Sequence, residues 1–462
     1  MRMFPATTLL LATVAAHAAP PGTLLAEYAV SGVYPAPPNP TYQYDHHPDA
    51  YAYHADMAAS AAQYASGAVI TAWRPPNQNV VLGRRIEAHA APLAAEFRIN
   101  ASTPPGAAIG APVVAVAPSK RGVAAWPTYD SATGEFSVYL RALRPSDGRP
   151  VGSDILAATM SVDYPEESSF PGVVLTVAVN DDGAMAVAWG CRSFNDCNPS
   201  FVESGIRFFN PDGMPAQLST TEALTATLQQ AHVLVEDQFY GSEPLHEEVA
   251  AHRLGVVRNP VLSWWKDRYI LSDVRGNAPA FDTTRISTQA YNVRGAAVGE
   301  RWEHAENDYE EPSFNCGAPM PAGRMAIAWF DWLFNDPTVV RLETFEADRT
   351  TRASRPMAAW VQDLKHHWSC RQLFADSRYG NLVMRFDITH LEHANGGAWL
   401  QYFNTTAKPI SSPVRVPWHS YVAGGEATDE TVTLVYPRII GDPSQPHQVQ
   451  VVVRRYAGPR SE

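Results

Sequence analysis

Guanidinium, imidazole and aromatic side chains collect at two recurring places in this 462-residue chain. One group follows apolar runs of β character: Arg74, Tyr129-Asp130, Arg192, Asp273 and Arg275, Asp331-Trp332, Arg385 with Asp387, and Arg438. The other precedes such runs: His54 and Asp56, Asp163-Tyr164, Tyr309 beside Asp308 and Glu310, His366-His367-Trp368, and Trp418-His419-Ser420-Tyr421. Such a mixture suits a sugar, because ring faces stack on C–H surfaces while charged groups hold hydroxyls or a uronate carboxylate. On this reading Arg192, Arg385, His54, Tyr129, Trp332 and Arg438 bind ligand. If the chain is catalytic, its most concrete chemistry is a polyuronate lyase reaction. Arg192 or Arg385 then neutralises the carboxylate and acidifies the C5 proton, and His367, His419 or Tyr309 takes that proton and protonates the leaving oxygen.

Other chemistries lack their residues. There is no G-x-S-x-G elbow, no G-x-x-x-x-G-K-[ST] phosphate loop and no G-x-G-x-x-G. His246-Glu-Glu-Val-Ala250 begins like a zinc-protease helix, but Ala250 stands where the second ligand belongs. Asp45-His46-His47 and His390-Leu-Glu-His393 read as solvated loops, so neither a metal site nor a cofactor is expected. A lone histidine is more often a surface or satisfied core group, and an Arg beside an Asp is more often a local ion pair. The candidates therefore depend on the elements that bring them together.

Those elements repeat. The clearest unit reads Val177-Ala-Val-Asn-Asp-Asp-Gly-Ala-Met-Ala-Val-Ala-Trp189, then Gly205-Ile-Arg-Phe-Phe-Asn-Pro-Asp-Gly213 and Gln217-Leu-Ser-Thr220. Alternating apolar positions and two tight turns make a four-stranded meander. Second-strand anchors recur at Trp73, Trp126, Trp189 and Trp329, with Ser272, Phe386 and Tyr436 as the substituted copies. The repeated tryptophans read as packing between units rather than as a binding platform. Seven such sheets in a ring form a β-propeller of four-stranded antiparallel blades. The last unit stops one strand short at Gln448–Tyr456, and Leu24–Ser31 resembles the outer strand Leu93–Asn100, so the N-terminal strand is expected to complete the last blade.

The units resemble repeats of secreted bacterial β-propeller proteins of the kind V-A-x-x-x-D-G-x-x-V-x-W followed by I-x-x-x-x-F-x-x-x-G. That resemblance covers nearly the whole chain after the leader and implies a fold, not an activity. In such a fold the turns at Asn180–Gly183, Asn210–Gly213 and Asn292–Gly295 lie on one face, and the long connections lie on the other. The long-loop face is the expected functional face, with both groups of candidates converging on the mouth of the central channel. The largest insertion, at about 220–257, is expected to join two blades and to be partly helical. Cys191 pairs naturally with Cys197 inside one loop, and Cys316 with Cys370 across the inner strands of consecutive blades.

The N-terminus reads as a cleavable signal over residues 1–18, with Arg2, an apolar run and Ala16-His17-Ala18, leaving one propeller domain over 19–462. A secreted or periplasmic protein is expected, and the four cysteines fit that compartment. A net charge of −12 argues against nucleic acid and anionic membrane as partners, and no later segment is apolar enough to span a bilayer. The expected partner is a glycan or an extracytoplasmic protein, met by a monomer. Binding ranks first and lyase activity second.

Overall fold

The computed structural model describes residues 19–35, 59–64, 66–88, 95–117, 121–161, 173–191, 204–219, 251–253, 257–265, 267–276, 284–307, 316–330, 340–358, 361, 368–376, 379–388, 396–417, 420–425, 431–440 and 448–459. Strand β1 (Leu24–Pro35) stands apart from the blade that follows it in sequence. The first blade is β2 (Ala59–Gln63), β3 (Val69–Trp73), β4 (Leu82–Ile86) and β5 (Phe97–Arg98). In the second, β6 (Ala108–Ile109) and β7 (Val113–Val116) share the inner place against β8 (Gly122–Asp130), with β9 (Glu135–Leu143) and β10 (Pro150–Ser161) outside. The third is β11 (Val173–Val179), β12 (Met185–Cys191), β13 (Gly205–Phe209) and β14 (Ala251–Arg253). The fourth is β15 (Val257–Trp265), β16 (Arg268–Gly276), β17 (Thr284–Tyr291) and β18 (Ala297–Asn307). The fifth is β19 (Cys316–Pro319), β20 (Met325–Phe330), β21 (Val340–Phe345) and β22 (Thr351–Pro356). The sixth is β23 (Trp368–Ala375), β24 (Leu382–Ile388), β25 (Gly397–Phe403) and β26 (Val414–Val416), and the seventh begins with β27 (Tyr421–Gly425), β28 (Thr431–Ile440) and β29 (Gln448–Ala457).

Each inner strand touches the next around the circle, and β27 runs parallel to β2 through Ala62↔Gly424 and Gln63↔Gly425. The seventh blade receives its outer strand from β1, paired antiparallel to β29 from Leu24↔Tyr456 to Pro35↔Gln448. The ring is thus a seven-bladed β-propeller closed by its N-terminal strand, as the repeats imply. Without β1, β29 would present an unpaired edge.

Apolar clusters fill the junctions between blades. Trp73 packs with Val435 and Val451 between the seventh and first, and Trp126 with Ile70 between the first and second. Trp189 lies with Val138 and Leu140 between the second and third, while Trp329 meets Trp302 and Phe345 between the fourth and fifth. These rings are blade-to-blade packing, each contributing a few kcal/mol of burial. Gly205, opposite Trp189, leaves the room its ring needs: a methyl there would collide with the six-membered part of the indole.

Two expectations change in the structure. Register in the fourth blade runs from Tyr269↔Tyr291 to Gly276↔Thr284, so the residue four beyond the strand pair at the turn is Asp273. That is where Trp189 stands relative to Met185↔Phe209, so Asp273, and not Ser272, holds the anchor position. Ser272 points the other way, toward Gly317 of the fifth blade. The large insertion also sits elsewhere. After the turn at Asn210–Gly213, Pro215 bridges Phe209 and Ala216 N donates to Phe208 O, and β14 then pairs with Gly205, Ile206 and Arg207. The insertion therefore interrupts the outer strand of the third blade instead of joining two blades. Its stems leave and return at the blade's outer edge, and residues 220–250, where a helix is expected, lie outside the described residues.

A second recurrence escapes the apolar pattern. On each third strand, the residue opposite the position two before the second-strand anchor is long and polar: Arg84, Arg141, Arg207, Gln289, Glu343, Gln401 and Arg454. Three of these arginines reach back to a carbonyl in, or immediately after, the preceding blade's outer strand. Arg84 donates to Val30 O at 2.6 Å, Arg141 to Ile99 O at 2.7 Å and Arg207 to Ala157 O at 2.5 Å. Backbone groups at those outer strands are thereby satisfied from the neighbouring blade.

Candidate functional site

Second strands start at the short turns and end at the opposite face, where the long connections begin. The tight turns have the expected chemistry: Asn180 N donates to Ala184 O at 2.9 Å, Asn180 Oδ1 accepts from Ala184 N at 2.7 Å, and Gly183, Gly213 and Gly295 share one left-handed position with φ 95°, 86° and 90°. Between the middle of β23 and β24 and their ends away from the turn, in the sixth blade, three charged side chains meet. β23 pairs Cys370 with Phe386 and Gln372 with Arg385, so Arg371 is an extra residue, a β-bulge in an inner strand. Its side chain is 37% exposed although it stands on the innermost strand of its blade. Arg371 Nε lies 2.7 Å from Asp387 Oδ2.

Behind this pair Arg385 is almost wholly buried. Its Nη2 is 2.8 Å from Asp387 Oδ1 and its Nη1 is 3.2 Å from Oδ2, so one carboxylate serves two guanidiniums. Burial holds the Arg385 pKa below its ordinary value, the charge of Asp387 opposes that, and Arg371 adds repulsion. Arg371, Asp387 and Arg385 thus form one charged group of which Arg371 is the exposed member. Arg385 Nε has no hydrogen-bond partner among the described residues. Trp368, 1% exposed, stacks obliquely on Phe386 and supports the strand from the side of the fifth blade.

On the fourth blade's wall, Asp273 accepts from Ser287 Oγ at 2.5 Å, and Ser272 and Thr288 share a 3.2 Å hydroxyl contact. At the rim, a shallow cleft between Pro20–Thr23 and Ile410–Ser412 carries no charged group and offers little chemistry.

The sequence candidates divide into three sets. Arg385 sits in the cluster just described. Tyr129 is buried in the junction of the second and third blades, and Arg438 pairs with Glu27 of β1 at 2.7 Å, within the closure of the seventh blade. His54, Tyr309, Arg192, Trp332, His367 and His419 lie outside the described residues. So does Cys197, and of Cys191 only the backbone is described, whereas Cys316 and Cys370 form the expected bridge between the inner strands of the fifth and sixth blades. Among the described residues no group of three or more His, Cys, Asp or Glu could hold a metal ion, and no helix is long and apolar enough to cross a membrane. Arg371 was not legible as a site residue: the alternation places it as an ordinary strand position, and only the bulge turns it out.

No family model matches the sequence, and no curated protein matches it. Several solved structures are similar over most of the chain. The α-L-arabinofuranosidase Arb93A from Fusarium graminearum is 10% identical, with 94% of this chain and 98% of that chain covered at a TM-score of 0.43. An α-L-arabinanase from Penicillium chrysogenum is 9% identical, with coverages of 93% and 98% and a TM-score of 0.44. The β-propeller domain of the Trilobed protease from Pyrococcus furiosus is 8% identical, with coverages of 88% and 99% and a TM-score of 0.43. At these values they speak to neither activity nor ligand.

Proposed function

We propose that the protein is a secreted or periplasmic propeller that binds a carboxylate-bearing glycan at the mouth of its channel, on the long-loop face. The observation that carries this reading is the Arg371–Asp387–Arg385 cluster, in which an inner-strand bulge exposes one guanidinium while a buried ion pair fixes its orientation. Arg371 is the group that meets the ligand carboxylate, and Arg385 acts from behind through Asp387. Leader-like residues 1–18 and the Cys316–Cys370 bridge support an oxidising compartment.

The test is a panel of oligogalacturonates, other polyuronates and neutral oligosaccharides, with binding measured by calorimetry and new unsaturated ends followed by absorbance. Acidic oligomers should bind at least about tenfold more tightly than neutral ones, without a rise in absorbance. Arg371→Ala should cost about 1.5–3 kcal/mol of affinity, the range of a charge-assisted contact. Equal affinity for neutral oligomers, or an unaffected Arg371→Ala, would overturn the proposal. A rise in absorbance would replace binding by the lyase reaction.

A further inference from the structure

The bulge takes Arg371 out of the pairing register of β23 and β24, so its placement depends on how the flanking residues are held. The residues on either side of Arg371 are each fastened to a different blade. Cys370 is bonded to Cys316 of β19, with 5.8 Å between their Cα atoms, which ties the sixth blade to the fifth. Gln372 reaches the seventh blade: Val422 N donates to its Oε1 at 2.6 Å, and its Nε2 donates to Val422 O at 3.1 Å. The amide thus offers one acceptor and one donor to a single residue of β27, the pattern a neighbouring strand would otherwise supply. Both cysteines are 4% exposed and Val422 is fully buried, while the Gln372 side chain is half-buried.

From this arrangement we infer that Cys370-Arg371-Gln372 is one device, in which the disulfide and Gln372 are positioning groups that clamp the bulge from both sides and hold Arg371 on Asp387. The inference rests on the ligand site proposed above and adds how that site is set. Loss of either fastening lets the bulge sample arrangements in which Arg371 leaves Asp387. Apparent affinity falls with the fraction of molecules in the competent arrangement, so a drop to about a tenth weakens binding about tenfold. Since the clamp depends on a disulfide, the site is complete only in the oxidised protein.

The experiment uses the full chain and three variants: Gln372→Met, which keeps length and removes both hydrogen bonds, the double variant Cys316→Ser/Cys370→Ser, and Val451→Ala. Val451 is fully buried in the junction of the seventh and first blades, and its variant is the control for general destabilisation. With oligogalacturonate as probe, the first two should bind about tenfold more weakly, and Gln372→Met should add nothing to Arg371→Ala. Val451→Ala should melt lower with its affinity unchanged. Phenylglyoxal labelling of Arg371, mapped by peptide mass spectrometry, reads the clamp without any ligand. Labelling should be several-fold faster in both clamp variants, because the guanidinium leaves its carboxylate.

If the wild type binds no oligogalacturonate, the proposed function fails while faster labelling still supports the clamp. Unchanged labelling in Gln372→Met overturns it, as does an affinity loss in Val451→Ala equal to that of the clamp variants. Should one clamp variant not fold, the other carries the test alone.

Discussion

Replacing Glu27 by Gln removes one charge from the closure of the ring. Glu27 lies on β1 and accepts from Arg454 at 2.5 Å, from Arg438 at 2.7 Å and from the Tyr436 hydroxyl at 3.2 Å, joining three strands of the seventh blade. Burial alone would raise its pKa. The hydrogen bond and charge of Arg454, with Tyr436 and Arg438, outweigh that and hold the carboxyl below its ordinary 4.5. A carboxyl depressed in the folded state contributes stability that is complete above its unfolded value and is lost as pH falls through the folded value. The side chain is 28% exposed and Arg438 is 41% exposed, so water screens part of the attraction. A contribution of about 1–2 kcal/mol at neutral pH follows for such a partly shielded, charge-assisted cluster. For 462 residues unfolding together, an entropy of about 2.1 cal/mol/K per residue makes each kcal/mol worth about 1 °C. Glu27→Gln should therefore melt about 1–2 °C below the wild type at pH 7 by scanning calorimetry, with the gap closing as pH falls below 4.5. A gap that stays constant or widens on acidification would refute the assignment.

Arg84→Met, Arg141→Met and Arg207→Met should each cost about 1–2 kcal/mol in urea unfolding, because each strands a carbonyl of the preceding blade. The three losses should add, since they act at different junctions; strong coupling among them would contradict independent contacts. Gly205→Ala should destabilise by about 1–3 kcal/mol through its clash with Trp189. Trp189→Phe should recover part of that loss, and a double variant no better than the sum would argue against the clash.

The ring was legible because its signals are redundant. Trp73, Trp126, Trp189 and Trp329 mark one position four times, and the missing last strand had a visible counterpart in Leu24–Ser31. In the fourth blade the apolar rhythm of Tyr269-Ile-Leu-Ser272 points one residue short of the anchor position. Counting back from the turn at Asn292, as the pairing Tyr269↔Tyr291 requires, leads to Asp273, but a carboxylate in an aromatic position has no apolar signal. The outer strand of the third blade is hidden for a related reason: Gln217–Thr220 has strand character in sequence, while the three residues of β14 are too few to read across a long insertion. Bulges defeat period-two patterns altogether. Arg371 follows Cys370 as any strand residue would, and the pairing that frees it exists only between chain segments. The polar third-strand series is visible in the sequence once register is known. Of the sequence's ligand candidates, Arg385 alone falls in the described cluster, where it lies behind Arg371.

An acidic ligand over the bulge of the sixth blade is tested most directly by hydrogen exchange of the whole protein with and without oligogalacturonate. Ligand should slow exchange in Trp368–Ala375 and Tyr421–Gly425, while Asn210–Gly213 and the turn before Pro150 stay unchanged. Protection confined to those turns, or protection of β23 that persists in Arg371→Ala at the same ligand occupancy, would contradict it.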